Sequence, residues 1–151
     1  MRFTEILFAS FLLVLCSCNQ SNAKREIPLT VVRQSSNLIH CDVIFASSVK
    51  KMEEENEIFI QLGTLDTNDE ELPKQVAIVR INDQPVFLYN VKTEQHGKQL
   101  NQDYTGDGYT LTLSCNETDE ANAVYDCTCT IKKGSLKSEY RLKRMPNHHD
   151  Y

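Results

Sequence analysis

Apolar residues recur at every second position along most of this chain, which is the period of a half-buried β-strand and not of a helix. Alternating segments run over 29–33, 38–46, 57–65, 75–81, 86–92, 109–115, 123–132 and 136–144. The clearest is Tyr109-Thr110-Leu111-Thr112-Leu113-Ser114-Cys115, apolar and hydroxyl-bearing by turns. Asn82-Asp83-Gln84-Pro85 predicts a tight hairpin turn between two such runs, and Lys133-Gly134 predicts another. The charge-rich connection 50–56 suits one helical turn, and Asn68-Asp69-Glu70-Glu71 before Pro73 is an acidic surface loop. About eight short strands joined by polar turns predict an all-β domain, an antiparallel meander closed as a barrel or folded as a sandwich. That domain spans 27–145, with a tail at 146–151 expected to fray. There is no internal repeat and no sign of a second domain.

The first residues follow a different rule. Behind Met1-Arg2-Phe3-Thr4-Glu5 stands the apolar run 6–15, too short for a bilayer-spanning helix, which needs about twenty residues. Its length suits the core of an export signal. The following Leu15-Cys16-Ser17-Cys18 resembles the bacterial lipobox, with a branched apolar residue three places before the modified cysteine and a small residue one before. Cys16 fits less well, because bulky Leu15 would fill its small position. The resemblance implies a signal peptide over 1–17, a lipid-modified Cys18, and a polar tether over 18–26. The mature chain would then sit in a bacterial cell envelope, at the outer membrane, held by several acyl chains. The alternative is plain secretion with cleavage after Ser21-Asn22-Ala23, in which case Asn116-Glu117-Thr118 is a glycan acceptor.

Removing the leader cysteines leaves an even number. Export places Cys41, Cys115, Cys127 and Cys129 in oxidising surroundings, so two disulfides are expected. Cys127 and Cys129 are two apart on one strand face and poorly placed to bridge each other, so each needs another partner. Alternation groups Ile39-Cys41-Val43-Phe45, Leu111-Leu113-Cys115 and Tyr125-Cys127-Cys129-Ile131 as three inward faces. A hairpin joining the last two places Cys115 nearest Cys127, which favours Cys115–Cys127 with Cys41–Cys129. One β-bulge would exchange the partners. A metal site from the Cys-x-Cys pair with His40 or His148-His149 matches no zinc spacing.

Composition narrows the function. The formal charge is −5 with no basic block, so nothing favours nucleic acid. No nucleophile elbow, phosphate loop or paired catalytic carboxylate is recognisable, so the domain reads as non-enzymatic, without a catalytic residue or cofactor. His96 and His40 lack a diagnostic neighbour and read as solvated. Asp103-Tyr104-Thr105-Gly106-Asp107-Gly108 places oxygens like a calcium loop, but Ser114 stands where a bidentate Glu is required, and a glycine turn explains the same letters. The acidic groups Glu53-Glu54-Glu55 and Asp69-Glu70-Glu71 are solvated loops or a surface for a cationic partner. The segment 93–108 reads as the longest loop and the first choice for contact with an envelope protein.

Val76-Ala77-Ile78-Val79-Arg80-Ile81-Asn82-Asp83, Phe87-Leu88-Tyr89 and Tyr104-Thr105-Gly106-Asp107-Gly108-Tyr109-Thr110-Leu111 together resemble the membrane-bound lysozyme inhibitors. The resemblance is one of pattern and covers about a third of the chain. It implies an eight-stranded barrel and inhibition of a secreted lytic enzyme. His96-Gly97-Lys98-Gln99 stands in place of that family's Ser-Gly approach to its tyrosine loop, so no inhibitory residue carries over. A structural envelope component is a further reading.

Overall fold

The computed structural model describes residues 26–31, 39–65 and 75–148. The leader 1–17, Cys18, the rest of the tether before Glu26, and the acidic segment at 69–71 lie outside them. Eight antiparallel strands close into a barrel in simple sequence order: β1 (Ile39–Ala46), β2 (Ile60–Leu65), β3 (Gln75–Ile81), β4 (Gln84–His96), β5 (Gln99–Gly106), β6 (Tyr109–Asp119), β7 (Val124–Lys133) and β8 (Leu136–Pro146). A helix, α1 (Val49–Glu55), joins β1 to β2. It starts where the Ser48 side chain accepts from the Lys51 N–H and stops at Asn56, which adopts a left-handed conformation. The all-β expectation therefore holds, and the barrel alternative is the one realised.

The count of eight is reached with a different set of strands. Of the segment 29–33 the described residues 29–31 form no strand, Leu29 making a single bridge to Ile81, and residues 32–33 lie outside the described chain. The segment 93–103 is not a loop. There β4 runs on to His96, turns at Gly97-Lys98, and returns as β5. Polar residues such as Lys92, Glu94, Gln95 and Gln99 gave no apolar alternation to read, yet the backbone pairs through the whole stretch. The two predicted turns are present, with Asn82, Asp83 and Gly134 at positive φ, which suits the tight connections of twisted strands. The first residues of the tail are tied to the barrel. Pro146 closes β8, and Asn147 donates to the carbonyls of Asp42 and Cys41 at 2.9 and 3.0 Å.

Burial differs around the wall. From β5 to β8 it alternates cleanly, with Leu111, Leu113, Ile131 and Leu142 inside and polar residues outside. Between β1 and β3 both faces are covered. Phe45, Ile60, Ala77 and Val79 point into the barrel, while Ile44, Ala46, Val76 and Ile78 pack outward against Met52 of α1, Ile58 and Met145. A strand buried on both faces reads as a continuous apolar run, as Val76-Ala77-Ile78-Val79 does.

The switch between faces occurs at a bulge in β1. Cys41 pairs with Gly63 and Val43 with Leu62, so Asp42 is an extra residue and the side-chain parity reverses. Gly63 permits this: a Cβ there would stand 2.0 Å from the His40 carbonyl oxygen.

At the lower end of the barrel, where the turns at 82–83, 107–108 and 134–135 lie, the segment before β1 acts as a plug. Ile27 and Leu29 are buried in the core. The Ile27 N–H donates to Ser138 Oγ at 2.6 Å, the Tyr140 hydroxyl donates to the Ile27 carbonyl, and the Leu29 N–H donates to the Tyr140 oxygen at 3.1 Å.

Gly63→Ala is expected to cost ~1–3 kcal/mol, because the clash falls on rigid backbone. Urea unfolding measures it, and an unchanged midpoint would show that the bulge tolerates a side chain. The acid limb of stability has a separate source. Glu57 accepts from the Ser47 hydroxyl and backbone N–H and lies 3.6 Å from Lys51, and these contacts, the Ser47 hydroxyl first, hold its carboxyl below the ordinary value. A depressed folded pKa adds stability above the unfolded pKa, lost as pH falls through the folded one. Glu57→Gln should therefore flatten the loss of stability between about pH 5 and pH 3.

Candidate functional site

The upper end carries the chemistry. There β4 to β7 rise above the level at which the barrel closes. Pairing of β3 with β4 ends at Val76 and Tyr89, while β4 continues against β5 as far as His96 paired with Gln99. Among the described residues, the part of β4 beyond Asn90 is hydrogen-bonded to a strand on one side alone. A bulge between Asn90 and Lys92 turns it away from the wall. Every residue from Val91 to Gln99 is exposed, and Val91 is a large apolar side chain at 61% exposure. Lys92 pairs with Glu94 at 3.0 Å, charges of the kind that discourage an open edge from joining another copy. The stretch expected to be a contact loop is thus a strand-paired flange, with His96 at its tip.

Inside the same end lies a polar cavity of about 100 Å³. Arg144 of β8, Gln102 and Tyr104 of β5, and Leu62, Gly63 and Thr64 of β2 line it, with Asp42 at the rim. Arg144 is half-buried, and its guanidinium lies 4.8 Å from the centre of the Tyr125 ring. Its Nε is buried without a hydrogen-bond partner, and so is Oε1 of Gln102, a side chain 8% exposed. No carboxylate of the described residues lies within ion-pair distance of Arg144; Asp42 instead faces His40 at 3.5 Å. Burial, the larger effect, lowers the pKa of Arg144, opposed electrostatically by the phenolic groups of Tyr125 and Tyr104. Burial also pushes Tyr104 up to about 12, so its hydroxyl stays neutral. Periodicity alone gave no hint of this group. Arg144 and Gln102 occupy inward positions of strands whose other inward residues are mostly apolar, Ser138 of β8 excepted, and that mismatch is the available signal.

The cysteines divide. Cys115 and Cys127 are directly opposed on β6 and β7 with Cα atoms 4.1 Å apart and form a disulfide, the pairing the hairpin favours. The expected second bridge, Cys41–Cys129, is not made. Cys129 lies inside the barrel, but the bulge at Asp42 turns Cys41 to the outer cluster with Ile44 and Met52, so the sheet wall stands between them. Alternation placed Cys41 inward because it has no means of registering an extra residue. Burial raises the Cys129 thiol to about 12.

The remaining candidates fall into ordinary places. Asp107 and Gly108 form the positive-φ turn between β5 and β6, and Asp103 accepts from the Thr112 hydroxyl at 2.8 Å, a cross-strand contact and not a loop ligand. Among the described residues no three His, Cys, Asp or Glu side chains converge for a metal ion. His148 is exposed beyond β8, and His149 lies outside the described chain. No family model matches the chain, and no curated protein or solved structure is detectably similar to it.

A thiol with a pKa near 12 is about one part in ten thousand thiolate at pH 8. Cys129 should therefore resist iodoacetamide in the native protein and be modified rapidly in urea, as read by peptide mapping. Fast native labelling of Cys129 would contradict its burial.

Proposed function

We propose that this chain is a lipid-anchored, non-enzymatic binding protein of a bacterial cell envelope, whose domain presents the flange of β4 and β5 to a protein partner. The observation that carries this reading is the opposition of the two barrel ends. The plug at Ile27 and Leu29 holds the start of the domain at the lower end. A tether over 18–26 therefore leaves from that end, and its nine residues span at most about 30 Å when extended. The lower end then faces the lipid, and the flange with its cavity faces away. A disulfide-tied hairpin beneath that surface keeps it preorganised, which reduces the ordering cost of binding.

A second reading is inhibition of a secreted lytic enzyme such as lysozyme. The closed eight-stranded barrel agrees with the fold that the sequence resemblance implies. A projecting element suits an enzyme cleft, and acidic surface groups suit a cationic enzyme.

Both readings are tested on the expressed full chain. Wild-type protein should fractionate with membranes and carry the intact mass of a tri-acylated Cys18 species. Cys18→Ala should move it to the soluble fraction without changing its circular dichroism. A soluble wild-type product beginning at Lys24 would reject the anchor in favour of plain secretion. Titration of lysozyme activity with the purified protein separates the second reading. Inhibition lost on replacing Val91 and His96 by Ser would place the lytic enzyme on the flange, and the absence of inhibition would remove that reading.

A further inference from the structure

We propose that the cavity at the upper end of the barrel is a binding site for a carboxylate, held by the guanidinium of Arg144 with Gln102 and Tyr104 beside it. The inference adds a ligand to the end of the domain read above as its recognition end, but it does not depend on the lipid anchor.

A buried or half-buried arginine in a folded domain is ordinarily matched by a carboxylate or by hydrogen bonds to its N–H groups, because removing a charge from water is costly. Arg144 is an exception. Among the described residues its Nε has no hydrogen-bond partner, and its guanidinium stands over the face of Tyr125 with Tyr104 also in electrostatic range. A ring face attracts the cation but leaves the in-plane N–H groups free to donate. Those groups adjoin a cavity of about 100 Å³, room for a few waters or one small polar group. Gln102 supplies an independent indication. It is more than nine-tenths buried, lines the same cavity, and carries an amide oxygen that no group satisfies. Two polar side chains on strands from opposite parts of the chain thus expose unmet hydrogen-bonding capacity to one small space.

The ligand class follows from charge and shape. The described lining offers one cation and the neutral polar side chains of Thr64, Gln75, Gln102 and Tyr104, with the half-exposed carboxylate of Asp42. A dianion would keep an uncompensated charge beside the single guanidinium, and Asp42 would repel it further. A monoanion is neutralised one for one. The planar fork of a guanidinium matches a carboxylate through two parallel hydrogen bonds. The amide of Gln102 can present its NH₂ group to a carboxylate oxygen by rotating about its last bond, since the two ends of the amide are sterically equivalent. The carboxylate belongs either to a small free acid or to the end of a peptide chain. In both cases the anionic group enters from the flange side.

The test uses the ¹⁵N-labelled full chain and acetate as the probe, with chloride at matched ionic strength as the control. The Arg144 Nε–H and the Gln102 side-chain amide should shift saturably with acetate, with a Kd of about 1 mM, and not with chloride. Trialanine with a free carboxyl terminus is compared with trialanine amide. Tighter binding of the free acid than of acetate assigns the site to a chain end, and weaker binding assigns it to a small acid. Arg144→Met should abolish the response while keeping the amide spectrum dispersed, and Arg144→Lys should weaken it severalfold by losing the fork. If the Met variant does not fold, the wild-type Nε–H titration decides. Absence of a saturable shift at Arg144, equal binding of trialanine amide, or an undiminished response in a folded Arg144→Met variant would each overturn the proposal. None of these outcomes bears on membrane fractionation, so failure here is distinguishable from failure of the anchor.

Discussion

The approach of β1 to the bare Cα of Gly63 sets the arrangement of everything above and around it. With no side chain at that point, the His40 carbonyl can stand where a Cβ would be, and Asp42 is accommodated as an extra residue. The parity of β1 then reverses between Cys41 and Val43. Phe45 still fills the barrel, but Cys41 joins Ile44 outside it. Asn147 fixes the same bulge from β8 by holding the carbonyls of Cys41 and Asp42, so the feature that redirects β1 also secures the seam where the barrel closes. That seam has four residue pairs and ends at Pro146, which cannot donate a further hydrogen bond.

Two kinds of wall result. The strands from β5 to β8 form an ordinary half-buried sheet whose outer face is wet. The first three strands are covered twice, inside by the core and outside by Met52, Ile58 and Met145. The thick side gives the small domain a second apolar cluster, and the disulfide between β6 and β7 strengthens the thin side. With a loop of 12 residues, that bridge adds about 3 kcal/mol by restricting the unfolded chain. Closure leaves no free edge at the level of the core, so the open edge of β4 above it stands out as a place for contact.

The ends of the barrel are treated oppositely. Below, Ile27 and Leu29 seal the core, and Ser138 and Tyr140 satisfy the backbone that enters with them. Above, Arg144 and Gln102 retain polar groups without partners among the described residues, beside a cavity and beneath the flange. Buried polar groups that the protein does not satisfy internally are expensive to keep. Gln61 of β2 carries the same cost away from the cavity, so what distinguishes the upper end is that its partnerless groups adjoin an open space.

The sequence by itself determined the class of fold, because a two-residue period and glycine- or asparagine-bearing turns are local signals that survive without knowledge of neighbours. The strands around Val76–Ile81, Tyr109–Cys115 and Leu136–Arg144 were legible for that reason. So was the Cys115–Cys127 bridge, which depends on one hairpin. Tertiary structure decided what local period cannot encode. It made 99–106 a strand, in which Leu100 and Tyr104 face the core while Gln102 between them interrupts the apolar alternation that a local reading needs. It gave Leu29 a single bridge and made it, with Ile27, a plug of the core. It separated Cys41 from Cys129, because a single inserted residue reverses every side chain beyond it, and it is visible only when β1 is laid against Gly63. It also assembled Arg144, Gln102 and Tyr104, which come from strands β5 and β8 and meet only because the sheet closes on itself.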